Sequence, residues 1–189
     1  MKKGPPLLAA AVLSALLCTA AAAGAEVDVG DSPELEVVTL QGEEVSLDDY
    51  RGQVLLVDLW ATWCAPCRRS MPFYSRLYEE HQSSGFEILA ISVDEDRRNV
   101  EAFRRRHELS FPIVVDADGE AAALFGPPAM PTAYLIDRRG QVRYRHVGFS
   151  DRDKQAFEEK LQTLLSEEVG EEAQDERDER EEQKEEEQR

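Results

Sequence analysis

Cys64 and Cys67, separated by Ala65-Pro66, are the residues of this 189-residue chain whose types and spacing most directly suggest chemistry. A thiolate is a nucleophile, and two thiols this close can form and reopen a disulfide, exchanging two electrons as they do so. The pair falls where an apolar run, Val54–Trp60, gives way through Ala61-Thr62-Trp63 to helical spacing over Arg68–Tyr78. A strand feeding directly into a helix places both cysteines at the helix start. Backbone amides there lack intrahelical acceptors and carry the positive end of the dipole, so a thiolate at Cys64 is stabilised. Cys67 lies one turn below and can reach Cys64 to close a small disulfide ring. Pro66 suits a first helical turn, where its missing N–H costs nothing.

Two blander readings of the pair compete with redox chemistry: a structural bridge and half of a zinc site. Zinc needs a full tetrahedral ligand set, and His81, His107 and His146 are scattered along the sequence. A structural bridge gives no reason for Trp63 and Pro66 to stand beside the cysteines. No metal site is expected.

The elements that must position this centre follow from the hydrophobic pattern. After the redox helix, Ser83-Ser84-Gly85 is a stop, and Phe86–Val93 reads as a second buried strand, completing a βαβ unit with parallel strands. Leu35–Leu40 and Val45–Leu47 read as an N-terminal β-hairpin, and Asp48–Gly52 as the turn into the central strand. Downstream come an amphipathic helix over Asp96–Leu109, a short strand Phe111–Val115 and a short helix Glu120–Phe125. Strands Thr132–Asp137 and Gln141–Gly148 and a helix over Asp151–Leu165, with Asp151 as its N-cap, complete the pattern. Asp58 interrupts the central strand. If the sheet exposed one face, this acid would be solvated. Parallel central strands are covered on both sides, so burial and a raised pKa are expected.

WATWCAPC after an apolar strand, with Gly30-Asp31-Ser32-Pro33, Ile88–Asp94 and the segment Pro131-Thr132-Ala133-Tyr134-Leu135-Ile136-Asp137, resembles the thioredoxin superfamily. Within it, the chain is similar to the extracytoplasmic TlpA/ResA-like thiol-disulfide oxidoreductases over residues 30 to 165. The resemblance implies an α/β thioredoxin-like fold: a central mixed β-sheet flanked by helices, with the N-terminal hairpin and a central insertion over Arg97–Ala123. It implies that Cys64 attacks, that Cys67 resolves, and that the disulfide in the chain is the only redox group, with no other cofactor. Asp58 matches the thioredoxin position whose buried carboxylate transfers a proton to the second cysteine. Many TlpA/ResA-like proteins instead carry Asn in the strand and Glu three residues after the second cysteine; here that place is Ser70. Met130-Pro131 matches the family's cis-proline, which lies against the disulfide and lets the preceding backbone pair with an extended substrate. Trp63, Pro66, Met130 and Pro131 are therefore the expected substrate-binding residues. Pro72 matches the family's helix kink, removing one internal hydrogen bond.

The resemblance favours reduction of disulfides in envelope or secreted proteins, apocytochromes among them, with electrons from a membrane thiol carrier and the chain acting as a monomer. Other classes stay open. A peroxiredoxin-like peroxidase would resemble this chain in fold, but wants Thr three residues before its cysteine, where Ala61 stands. A non-catalytic binding or chaperone module would use the groove near Pro131 without turnover.

Composition bounds the rest. With 42% apolar residues the chain can bury a core, and a formal charge of −17 argues against a nucleic-acid surface. Residues 1–25 carry Lys2 and Lys3, an apolar run Leu7–Cys18 and small residues ending Ala23-Gly24-Ala25. This is the pattern of a secretory signal peptide cleaved before Glu26, with an uncleaved membrane anchor as the alternative. A lipoprotein signal through Cys18 fits poorly, since Leu17 is not small. The thioredoxin-like domain is then 26–166. From Glu167 to Arg189 the chain holds thirteen Asp/Glu against four Lys/Arg and is expected to be a disordered acidic tail.

Overall fold

In a computed structural model the structure describes residues 26–167. The signal-peptide expectation, including Cys18, and the tail beyond Glu167 lie outside the described residues. Among the described residues seven strands and four α-helices follow in chain order: β1 Glu36–Val38, β2 Glu44–Ser46, β3 Val54–Trp60, α1 Ala65–His81, β4 Phe86–Ser92, α2 Arg97–His107, β5 Ile113–Val115, α3 Glu120–Phe125, β6 Thr132–Ile136, β7 Val142–Val147 and α4 Lys154–Ser166.

β1 and β2 form a separate antiparallel hairpin, and the main sheet has strand order β5-β4-β3-β6-β7. β3 is parallel to β4 and antiparallel to β6; β4 is parallel to β5 and β6 antiparallel to β7. The sheet is thus mixed, with β3 at its centre. All seven residues of β3 are buried, because helices cover one face and the other carries its own apolar layer. Val54, Leu56 and Trp60 face Met71, Tyr74 and Leu77 of α1, Val100 and Phe103 of α2 and Phe157 and Leu161 of α4. Leu55, Val57 and Leu59 face a second layer with Val27, Leu47, Phe125 and Tyr134. Period-two alternation delivers successive residues to the two layers, so Asp58 belongs to the face that α1 covers.

Helix boundaries follow local chemistry. α1 gives way to a short 3-10 turn over Gln82–Ser84 that Gly85 ends in the left-handed region, at φ 80°. Asp96 caps α2, its side chain accepting from Arg98 N. The α4 expectation needs correction: Asp151 is not the cap. Its carboxylate instead pairs with Lys154 at 2.7 Å, and the helix begins after Asp153. Asp153 Oδ2 accepts from both Ser150 N and Ser150 Oγ, which folds residues 150–153 into a turn ahead of the helix. Asp48–Gly52, expected as a plain turn, opens within a 3-10 turn over Leu47–Tyr50. β5 is shorter than Phe111–Val115: Phe111 is taken into the core, and Pro112 has no N–H to offer, giving only its carbonyl to Ala90 N. Among the described residues no helix is long and apolar enough to cross a membrane.

Candidate active site

β3 ends at Trp60, and the chain turns through Ala61–Trp63 into α1. Cys64 is the N-cap of α1, in extended backbone, and Pro66 occupies the first turn. Cys64 and Cys67 are joined in a disulfide with S–S 2.03 Å and Cα–Cα 5.2 Å. Cys64 Sγ accepts from the Cys67 amide at 3.3 Å, so the sulfur occupies the place where a capping oxygen usually sits. When the pair is reduced, that amide and the helix dipole face a thiolate at Cys64. Cys64 is 7% exposed and Cys67 not at all. Only the first sulfur can be approached from solvent.

Trp63 stands 64% exposed beside the pair, while Trp60 is fully buried as core. Trp63 is thus an open apolar surface next to the disulfide. Met130-Pro131 is a cis peptide bond. It immediately precedes β6, whose first residue Thr132 pairs with Leu59 near the end of β3. Met130 packs on the apolar cluster that contains both cysteines. Pro131 O accepts from Gly148 N at 2.7 Å, and Thr132 Oγ1 donates to Ala129 O at 2.6 Å, which fixes the loop. The expected site residues at the ends of β3 and β6 are therefore brought to one end of the sheet.

Asp58 lies one layer beneath. It is fully buried, neither carboxylate oxygen has a hydrogen-bond partner, and desolvation pushes its pKa up to about 8. Its register partners are Ala90 on β4 and Ala133 on β6. Side chains directly opposite point to the same face, so small methyl groups flank the carboxyl on both sides. Tyr74 of α1, whose hydroxyl is also buried without a partner, has its pKa raised by burial and then by the nearby Asp58 charge. Ser70, where a carboxylate stands in many TlpA/ResA-like proteins, is buried and donates to Cys67 O at 2.9 Å. Asp58 is thus the acid on the α1 face of the central strand, and Ser70 is committed to the helix backbone.

Sequence reasoning missed the residues that hold the redox turn. Asp94, 2% exposed at the end of β4, accepts from Thr62 N at 2.8 Å, Thr62 Oγ1 at 2.6 Å and Ser92 Oγ at 2.7 Å. Arg68 adds a bond from its guanidinium to Thr62 O at 3.2 Å. The available signal was an acid just past a buried parallel strand, at the carboxyl end where such sheets build their sites.

Comparison with known proteins gives a consistent picture. The model of the AhpC/TSA family matches residues 30–145. The thiol-disulfide oxidoreductase ResA of Geobacillus thermodenitrificans is 42% identical over 112 residues, 59% of this chain and 64% of that relative. The chain therefore aligns with just under two thirds of that relative's length. ResA of Bacillus thuringiensis subsp. konkukian is 33% identical over 134 residues, 71% of this chain and 76% of its own. A crystal structure from Chlorobium tepidum, provisionally named thiol:disulfide interchange protein DsbE, superposes with TM-score 0.71 at 34% identity, covering 75% of this chain and 100% of its own.

Proposed function

The chain belongs to the AhpC/TSA family, thioredoxin-like in fold, and from that premise we propose that it is an extracytoplasmic thiol-disulfide oxidoreductase that reduces protein disulfides. The observation that carries the reading is the asymmetric pair, with Cys64 capping α1 and reachable and Cys67 enclosed beneath it. In the reduced protein the Cys64 thiolate attacks one sulfur of a substrate disulfide. A Cys64–substrate bond forms and the other substrate sulfur leaves as a thiolate, which takes up a proton. Cys67, giving its proton to Asp58, then attacks Cys64 Sγ, which releases the second substrate thiol and closes Cys64–Cys67. The substrate gains two electrons and two protons, and the chain is oxidised by the same amount. Trp63, Pro66, Met130 and Pro131 form the surface on which an extended substrate lies. A membrane thiol carrier restores the dithiol, and the chain works as a monomer on envelope or secreted proteins, with apocytochromes as one class.

The test is reduction of a protein disulfide, insulin for instance, by the pre-reduced full chain, together with the reduction potential of the pair. Turnover that disappears in Cys64→Ser, with a reducing potential, supports the reading. A strongly oxidising potential would reverse the direction, and peroxide consumption without disulfide exchange would move the chain to the peroxidases. For the location, protein from the native envelope should begin at Glu26 by mass spectrometry. Retention of Met1 on a membrane-bound form would favour the anchor.

A further inference from the structure

Thr62 and Arg68, on either side of the two cysteines, form one wall of a groove whose other wall is α2, with Asn99, Phe103, Arg106 and His107. One side of this groove is therefore the redox turn itself. Its lining holds two guanidiniums and an imidazole and no carboxylate. The chain carries a formal charge of −17, so acids are abundant, yet none enters this groove. Arg76, Arg97, Arg98 and Arg143 pair with acids, whereas Arg104 and Arg138, outside the groove, bond backbone carbonyls instead. Arg68 reaches only the Thr62 carbonyl, and Arg106 has no ion-pair partner among the described residues.

The nearby acids are engaged elsewhere. Asp94 is buried on Thr62 and Ser92, Asp96 holds Arg98, and Glu101 lies between Arg97 and Arg105. Glu95 is exposed and does not line the groove. Phe103 ties the groove to the core: its ring lies 4.2 Å from that of His107 and 5.1 Å from that of buried Trp60. Trp63, next in the chain to Thr62, is exposed.

We propose that this groove is a subsite for the side-chain carboxylate of an Asp or Glu close to the reactive cysteine of a polypeptide substrate, held by Arg68 and Arg106. The proposal rests on the disulfide-reductase reading above. A substrate cross-linked to Cys64 and running over Trp63 advances roughly 3.3 Å per residue, so its first few positions beside the cysteine pass the groove mouth. Guanidinium forks match carboxylates in geometry. Both arginines are exposed, so each pair contributes discrimination of about twofold to fivefold, and salt screens it.

The experiment compares two disulfide-linked peptides of equal length, one with Glu and one with Gln on both sides of the cysteine, reduced by the pre-reduced full chain. The Glu peptide should show kcat/KM about fivefold higher at low salt, carried by KM. The ratio should fall toward one in roughly 0.5 M salt, where the Debye length is about 4 Å. Arg106→Glu should bring the ratio below one and make a Lys-flanked peptide the better substrate, while Arg106→Lys keeps most of the wild-type preference. Equal kcat/KM for both peptides in the wild type would overturn the subsite and leave the reductase reading standing. If neither peptide is reduced, the reading itself has failed. If the full chain shows no preference and Arg106→Glu speeds both peptides, the groove serves the chain's own acidic carboxy-terminal segment and the substrate proposal is overturned.

Discussion

Replacing Asp58 with Asn removes a titrating group from the centre of the sheet while nearly keeping its shape. The carboxyl is fully buried and unpartnered, and desolvation moves its pKa from 3.8 to about 8. For an acid raised on folding, the native state holds one more proton than the unfolded state between those two values. Stability therefore falls as pH rises through that window, and the cost is complete above about pH 8. Each pKa unit corresponds to about 1.4 kcal/mol, so the carboxyl costs about 2 kcal/mol at pH 5 and about 4 kcal/mol at pH 7. The asparagine of the variant is also buried without a partner, but an amide does not titrate, so its own penalty is constant with pH. The stability gained by Asp58→Asn should thus grow by about 1.4 kcal/mol per pH unit from pH 4 to 8 and then level off.

Urea unfolding of the oxidised chain at unit pH intervals, with m held common, measures that slope. A gain that is the same at pH 4 and pH 8 would mean the carboxyl is paired or hydrated, and the burial argument would be wrong. The same variant should exchange disulfides more slowly near neutral pH, since Cys67 loses its proton acceptor. An unchanged rate across the pH range would reduce Asp58 to a structural role.

Cys67→Ser should accumulate a mixed disulfide between Cys64 and substrate, whereas Cys64→Ser, whose remaining thiol is enclosed, should trap little. Mass mapping of the adducts decides, and equal trapping would remove Cys64 as attacker. Asp94→Ala leaves Thr62 N–H, Thr62 Oγ1 and Ser92 Oγ without their shared acceptor and should cost about 2–4 kcal/mol in urea unfolding. A loss below about 0.5 kcal/mol would show that the turn holds without it. Ending the chain after Ser166 removes Glu167, which forks onto Arg143 at 2.7 and 3.1 Å, and should cost about 0.5–1 kcal/mol. Ending it after Glu167 should cost almost nothing. A large drop in Tm for the longer form would show that the acidic segment packs on the domain.

How much of this was legible in the sequence depends on the range of the interaction. The strand Val54–Trp60, the helix starting behind Cys64 and the short helix Glu120–Phe125 follow from local pattern, and the structure has them at those residues. The start of α4 is not set by a capping side chain: Asp153 makes no cap bond, and its contacts to Ser150 turn residues 150–153 ahead of the helix, which the local pattern around Asp151 does not show. Asp94 could not be tied to Thr62, 32 residues away, without the parallel pairing of β3 and β4 that sets their ends side by side. Nor could Arg106 be placed across from Arg68, because α2 sits by tertiary packing of Phe103 on Trp60. Legibility therefore ends where a site is assembled from separate elements.

Asp58 shows why an incomplete hydrogen-bond inventory can be functional. An arginine or lysine beside it would satisfy the carboxylate and draw its pKa down, leaving a permanent anion unable to take a proton from Cys67. Hydrogen-bond donors to the charged form would act in the same direction. Here the register supplies Ala90 and Ala133 instead, and the polar atoms of Trp60 and Tyr74 in the same layer are themselves without partners. Desolvation then acts unopposed and brings the pKa close to working pH, where a group can both take up and return a proton. The stability cost and the proton-transfer capacity consequently have one origin. Introducing a donor, as in Ala133→Ser, should lower the Asp58 pKa if the hydroxyl reaches it. The cost of folding at pH 7 should then shrink, and the exchange rate should fall in the same variant. A variant that gains stability through a lowered Asp58 pKa yet exchanges at full speed would separate the two and refute the shared origin.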